Sequence, residues 1–175
     1  MRTDSVRLAP LRMALVVAVA AMVWTSAVPA QTSSATGPET GLPMPRFVSM
    51  KAVEANVRRG PSMTHRIDWV FRHRNMPLVV TGEYGHWRRV MDRDGVGGWV
   101  HYALLSGVRT VIVDDEMAEV RRAPAPDAPV RARAEEGAIA TLDTCEDGWC
   151  RIRAGGRNGW VRRDALWGVD LPGAG

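Results

Sequence analysis

The chain has 175 residues, 46% of them hydrophobic and 24% charged, and a formal net charge of +4. Length sets a ceiling of one or two small domains, and eleven prolines with seventeen glycines suit short strands and frequent turns better than helices. The basic balance does not by itself amount to nucleic-acid binding, because twenty-two arginines against one lysine are the mark of a GC-rich codon pool and say little about function.

Arg2, Arg7 and Arg12 precede an uncharged run from Met13 to Trp24, and Ser26-Ala27-Val28-Pro29-Ala30 follows. A positive start, a short apolar middle and small residues at the end predict a secretory signal over 1–30, cut after Ala30. The apolar run is shorter than the roughly 20 residues of a membrane span, so no stable span is expected after cleavage; an uncleaved anchor is the alternative. No cysteine occurs before Cys145, which excludes a lipid-modified N-terminus at that cut, and no adjacent arginine pair precedes the run, which points to the general export route. The mature protein is expected in the periplasm or outside the cell, where nucleic acid is not a natural partner. Residues 31–45, rich in Ser, Thr, Gly and Pro, read as a disordered linker.

Strand character follows from Phe47 to Met50, Val53 to Val57, Ile67 to Phe71, and from Leu78-Val79-Val80 into Thr81–Val90. Asp94-Gly95 turns the chain, and Gly98-Trp99-Val100 opens another strand. The order then repeats. Met117–Pro124 matches Val53–Pro61, Ala138–Leu142 matches the Leu78 run, Trp149 matches Trp87, and Gly159-Trp160-Val161 matches Gly98-Trp99-Val100. The offset drifts only from 63 to 61 residues. An ordered repeat of short strands bounded by Gly, Pro, Asp and Asn predicts an all-β chain of two small barrels, over 46–109 and 110–168, with a flexible tail at 169–175. Within the second copy, Asp147-Gly148 and Asn158-Gly159 are both expected to form tight turns.

Asn56-Val57-Arg58-Arg59-Gly60-Pro61, with Gly85-His86-Trp87-Arg88-Arg89-Val90 and Gly98-Trp99-Val100, resembles the bacterial SH3-like domain. The signature recurs as Val120–Pro124, Asp147–Ile152 and Gly159–Val161, with Ala123 in place of Gly60, so the resemblance covers roughly 48–167. It implies two tandem half-open barrels of five or six strands in a secreted or envelope protein. It further implies a non-catalytic binding or targeting role, with cell-wall peptides among the suggested ligands. The aromatic-rich acidic loop with which eukaryotic relatives grip proline peptides has no equivalent, so that specificity does not carry over.

Cys145 and Cys150 are the only cysteines, and their spacing across a hairpin turn in an exported chain predicts a structural disulfide. Redox chemistry would favour C-x-x-C at a helix start. The histidines, His65, His73, His86 and His101, have no metal-ligand spacing, and no serine sits in a nucleophile turn, so neither a metal, a cofactor nor a catalytic residue is assigned. Trp99 and Trp160, with Gly98 and Gly159 before them, are expected to be core or near-core scaffold. Trp87 and Trp149 follow turns; each either flanks an open groove and touches ligand or packs beside its hairpin. Trp69, with Arg66, Arg72 and Arg74 around it, forms either a surface for a sugar, peptide or carboxylate or a solvated loop anchored by one Trp.

Two readings follow for this non-enzyme. In the first, the barrels recognise an envelope ligand such as a peptidoglycan peptide or glycan. In the second, the chain is an assembly factor whose grooves hold an envelope protein or the sister module. The second draws on charge: residues 46–109 carry eleven basic and five acidic side chains, residues 110–175 nine and twelve.

Overall fold

A computed structural model describes residues 35–171. The signal segment over 1–30 with its cut after Ala30, the first residues of the linker and the last four of the tail lie outside the described residues. Among the described residues no helix is long and apolar enough to cross a membrane.

The chain builds two seven-stranded antiparallel sheets with the same order of strands. The first comprises β1 (Arg46–Met50), β2 (Ala55–Arg58), β3 (Ile67–Phe71), β4 (Pro77–Tyr84), β5 (Trp87–Met91), β6 (Gly97–His101) and β7 (Leu105–Ser106), ordered β3-β2-β6-β5-β4-β1-β7. The second comprises β8 (Thr110–Val113), β9 (Met117–Arg121), β10 (Val130–Glu135), β11 (Ile139–Glu146), β12 (Trp149–Ala154), β13 (Arg157–Arg162) and β14 (Leu166–Trp167), ordered β10-β9-β13-β12-β11-β8-β14. Strands number seven per copy, above the five or six that the resemblance implies, because a two-residue strand after a 3₁₀ turn comes back to pair with β1 or β8.

Alternation along the strands sorts side chains into a core and an outer face. Met50, Val57, Leu78, Val80, Val90 and Val100 fill the first barrel; Val111, Val113, Ala118, Cys150, Ile152 and Val161 fill the second. The long strands β4 and β11 bend at bulges between Val80 and Gly82 and between Leu142 and Thr144. Each thereby pairs with one neighbour at its start and another at its end, which curls the sheet into a half-open barrel.

The register corrects one expectation about a motif and narrows another. Asp147 and Gly148 do turn the chain with φ of 46° and 78°, but Asn158 and Gly159 lie inside β13, and Gly155-Gly156 makes that turn with φ of 55° and 75°. Gly159 is required for a different reason: a Cβ there would stand 2.9 Å from the Arg121 carbonyl oxygen, as one on Gly98 would stand 2.6 Å from that of Arg58. Both glycines let a neighbouring strand approach. Of the two placements expected for Trp99 and Trp160, near-core is the one they take: they are half-buried on the outer face, while the adjacent Val100 and Val161 point inward and are fully buried. Trp99 pairs with Arg58 and Arg89, and Trp160 with Arg121 and Arg151, so each indole lies between two arginines.

Part of the expected linker is ordered. Thr36 bridges Pro43, and the strap over residues 35–45 is fastened by the buried Glu83 of β4. The Glu83 carboxylate accepts hydrogen bonds from the Thr40 hydroxyl (2.7 Å), the main-chain N–H of Thr40 (3.0 Å) and Glu39 (3.1 Å), and the Arg46 guanidinium (2.6 Å). At the other end Val169 packs on the second core and Asp170 pairs with Arg163, so the expected flexible tail is tied down at its start.

The two barrels dock. Phe47 meets Trp167 edge-on at 5.3 Å between ring centroids, and the Arg109 guanidinium lies 5.1 Å from the Phe47 ring. Arg93 reaches Asp114 (3.3 Å) and Glu136 (3.0 Å), and the Thr110 hydroxyl donates to the Asn75 carbonyl (2.8 Å). The opposite charges of the two copies are partly spent here.

Burial alone would raise the Glu83 carboxyl, but the hydrogen bonds from Thr40, Arg46 and Glu39 outweigh it and hold it at about 2, against a usual value of 4.5. With the folded value depressed, the unfolded state binds more protons between these limits, so the stabilisation is full above pH 4.5 and is lost as pH falls toward 2. Glu83→Gln should cost about 2–3 kcal/mol at neutral pH. Urea titrations of both proteins at pH 7 and pH 3 should show the gap between them narrowing in acid.

Candidate functional site

Because the copies share one register, their hairpins can be compared pair by pair. The inward row across the first barrel is Glu83, Arg88 and Val100; across the second it is Cys145, Cys150 and Val161. Cys145 and Cys150 are disulfide-bonded, with S–S 2.02 Å and Cα atoms 4.0 Å apart. The first copy places the ion pair of Glu83 with Arg88 (3.4 Å) at that position. Glu83 is therefore the counterpart of Cys145, and Arg88 that of Cys150.

The outward row is where the copies differ in chemistry. In the first it reads Tyr84, Trp87, His101; in the second, Glu146, Trp149, Arg162. Cross-strand partners share a face, so the first row is a continuous aromatic strip. Tyr84 is 63% exposed, and His86 and Tyr102 extend the strip, with ring centroids 5.5 Å apart. The Trp87 and His101 rings meet edge-on at 5.5 Å. His101 Nδ1 accepts the Ala103 N–H (3.3 Å), which leaves Nε2 carrying the proton as a donor to solvent or ligand.

Beside this strip a groove of about 500 Å³ is lined by Glu54, Asn56, Arg58, Met63, Trp87, His101 and Leu104. Asn56 offers an amide, and Glu54 a carboxylate 3.4 Å from Arg72. Arg58 is committed to the structure, donating to the carbonyls of Met63 (3.0 Å) and His65 (2.7 Å). An apolar indole face flanked by a donor, an amide and one pair of opposite charges suits a peptide-like ligand carrying both charge signs.

The equivalent place in the second barrel measures about 250 Å³. Trp149 is 6% exposed there, with the Arg162 guanidinium 5.7 Å from its ring and held to Asp164 at 2.8 Å. Of its two expected placements, Trp149 takes the packed one: it lies beside its hairpin under an arginine and borders only this smaller groove. Trp87, half-buried, is the more open of the pair and faces the larger groove.

The remaining candidates do not converge on this site. Trp69 stands opposite Val57 on edge strand β3, which places it on the barrel-facing side, 52% exposed because no strand follows. Arg72 reaches the groove's rim through Glu54, whereas Arg74 is exposed in the turn after β3. The place of Trp69 in the second barrel is taken by Ala132, which stands opposite Val120 as Trp69 does opposite Val57. Spacing missed His101 and Tyr84. The signal that would have found them is their place directly across strands from Trp87, which requires the register.

Two tandem half-open barrels, one with an aromatic groove and one stapled by a disulfide, define a pair of SH3-like modules. The chain belongs to the bacterial SH3 domain family, whose model matches residues 51–107 and 114–168. No curated protein matches the sequence. Among solved structures it is similar to NlpC2 and NlpC1 from Trichomonas vaginalis, at 16% and 15% identity with a TM-score of 0.33 for each. These matches cover 73% and 80% of this chain but 51% of each relative, so the chain spans about half their length; a likeness of this degree carries no weight for function.

The burial difference sets an expectation for stability. Trp149→Ala should lower unfolding free energy by about 3–5 kcal/mol, and Trp87→Ala by less than half as much, in chemical denaturation. Replacing Cys145 and Cys150 together by alanine should cost about 2 kcal/mol on the chain-entropy account. Barrel 2 amide exchange should accelerate as a result.

Proposed function

We propose that this protein is an exported, non-catalytic binding module whose first barrel recognises a cell-envelope peptide, such as a peptidoglycan stem peptide, through the groove at Trp87. The observation that carries the reading is the outward row of Tyr84, Trp87 and His101 beside an open groove, where the second barrel has the row Glu146, Trp149 and Arg162 beside a smaller one. Stem peptides combine amide backbone, ammonium and carboxylate groups, and the lining supplies an aromatic face, an amide and both charge signs. The second barrel serves as a scaffold that docks through Phe47, Arg93 and Thr110.

Export is supported by the charged-then-apolar start of the chain and by a disulfide, a bond that persists in oxidising compartments. The non-catalytic role is supported by the pairing of both cysteines and by His101 Nδ1 being engaged with a main-chain N–H. Residues that join the barrels and residues that line the Trp87 groove form separate sets, which favours an external ligand over the sister module.

Co-sedimentation of the mature protein with purified peptidoglycan tests this. The wild type should pellet with the wall, and Trp87→Ala or His101→Ala should bind at least tenfold more weakly, about 1.4 kcal/mol each. Glu146→Ala in the second barrel should leave binding unchanged. A wild type that stays in the supernatant would rule the wall ligand out.

A further inference from the structure

The half-open side of the second barrel holds a second surface. Where β10 and β11 part, a cleft of about 490 Å³ is lined by Val120, Ala132, Ala134, Ile139, Ala140 and Ile152. It exists because Ala132 occupies the position that Trp69 fills in the first barrel. Strand β10 is the edge of its sheet, paired with β9 alone, so its other side offers main-chain N–H and C=O groups along the cleft.

Charge at this edge is uneven. Arg131 and Arg157 stand at the Gly156–Asn158 end of the cleft, and neither is in an ion pair among the described residues. Arg131 is braced through Nη1 by the Asn158 carbonyl (3.0 Å) and side-chain oxygen (3.3 Å). Arg133 lies on the outer face, 3.8 Å from Glu119, and Glu135 closes the other end of the strand. Arginines alone would guard an edge against aggregation, but guarding requires no apolar cleft behind it.

We infer that β10 receives an extended segment of a partner protein in which aliphatic side chains alternate with carboxylates. Adding as a strand, the segment sends its aliphatic side chains against Ala132, Ala134 and Ile139 and its alternate carboxylates to the outer face, toward Arg131 and Arg133. The acidic residues belong at the Arg131 end, away from Glu135. A second copy of this chain fits less well: antiparallel pairing of two β10 strands sets Arg133 against its twin and puts only alanine methyls into a cleft with room for branched side chains.

The test is fluorescence anisotropy on the full mature chain with a labelled peptide of alternating valine and glutamate. Companion peptides have lysine for glutamate, the same residues in two blocks, or N-methylated alternate amides. The alternating peptide should bind, and each companion should bind at least tenfold more weakly. Arg131→Glu with Arg133→Glu, both exposed, should weaken binding at least tenfold. Ala132→Trp should do the same by filling the cleft. Trp87→Ala should bind the peptide normally, which separates this surface from the groove proposed above. Absence of binding, equal binding by the block or N-methylated peptide, or an unaffected double arginine variant would overturn strand addition. So would binding only to phosphatidylglycerol vesicles, or concentration-dependent dimerisation that the double variant abolishes.

Discussion

One cross-strand position governs how each barrel is held. In the first copy it is occupied by Glu83 and Arg88, in the second by Cys145 and Cys150. A buried carboxylate tolerates that place only when its oxygens are saturated, and Glu83 is saturated by reaching outside its own sheet to the strap at Glu39 and Thr40. Gly37 packs against the same carboxylate so closely that any side chain there would collide with it. The first barrel is therefore completed by a segment that precedes it, whereas the second is completed internally by a covalent bond.

That difference propagates outward. The row beside Glu83 and Arg88 is free of charge pairing and carries Tyr84, Trp87 and His101 as a strip that solvent reaches. The row beside the disulfide is charged, and Arg162 lies over Trp149 while Asp164 holds it there. Duplication has left one fold with two surfaces: an aromatic groove on the outer face of one barrel, and an apolar cleft at the open edge of the other. Docking through Arg93, Phe47 and Thr110 leaves both surfaces uncovered by the sister module.

Much of the architecture is legible in the residue order. The repeat, the Gly-Trp-Val motifs, the Asp147-Gly148 turn and the cysteine pair all correspond to what the chain builds, because each rests on local chemistry: positive φ, β-branched runs, a short loop closing two thiols. Misreadings and open choices cluster where a residue's role depends on its neighbour across a strand. Asn158-Gly159 has the composition of a turn yet serves close packing on β9, since Gly155-Gly156 turns the chain just before it. Trp99 and Trp160 are large and apolar yet face outward, because the inward position in each pair of neighbours belongs to valine.

Sequence by itself determined that this is an all-β chain of two similar SH3-like modules, with one disulfide and a start resembling a secretory signal. Only the tertiary structure decided which tryptophan meets a groove, what holds the strap, and where the barrel is left open. The reason is the two-residue period of a strand: alternation says which side chains share a face, but the strand that lies opposite sets whether that face is covered by an arginine, filled by a tryptophan, or left as space beside an alanine.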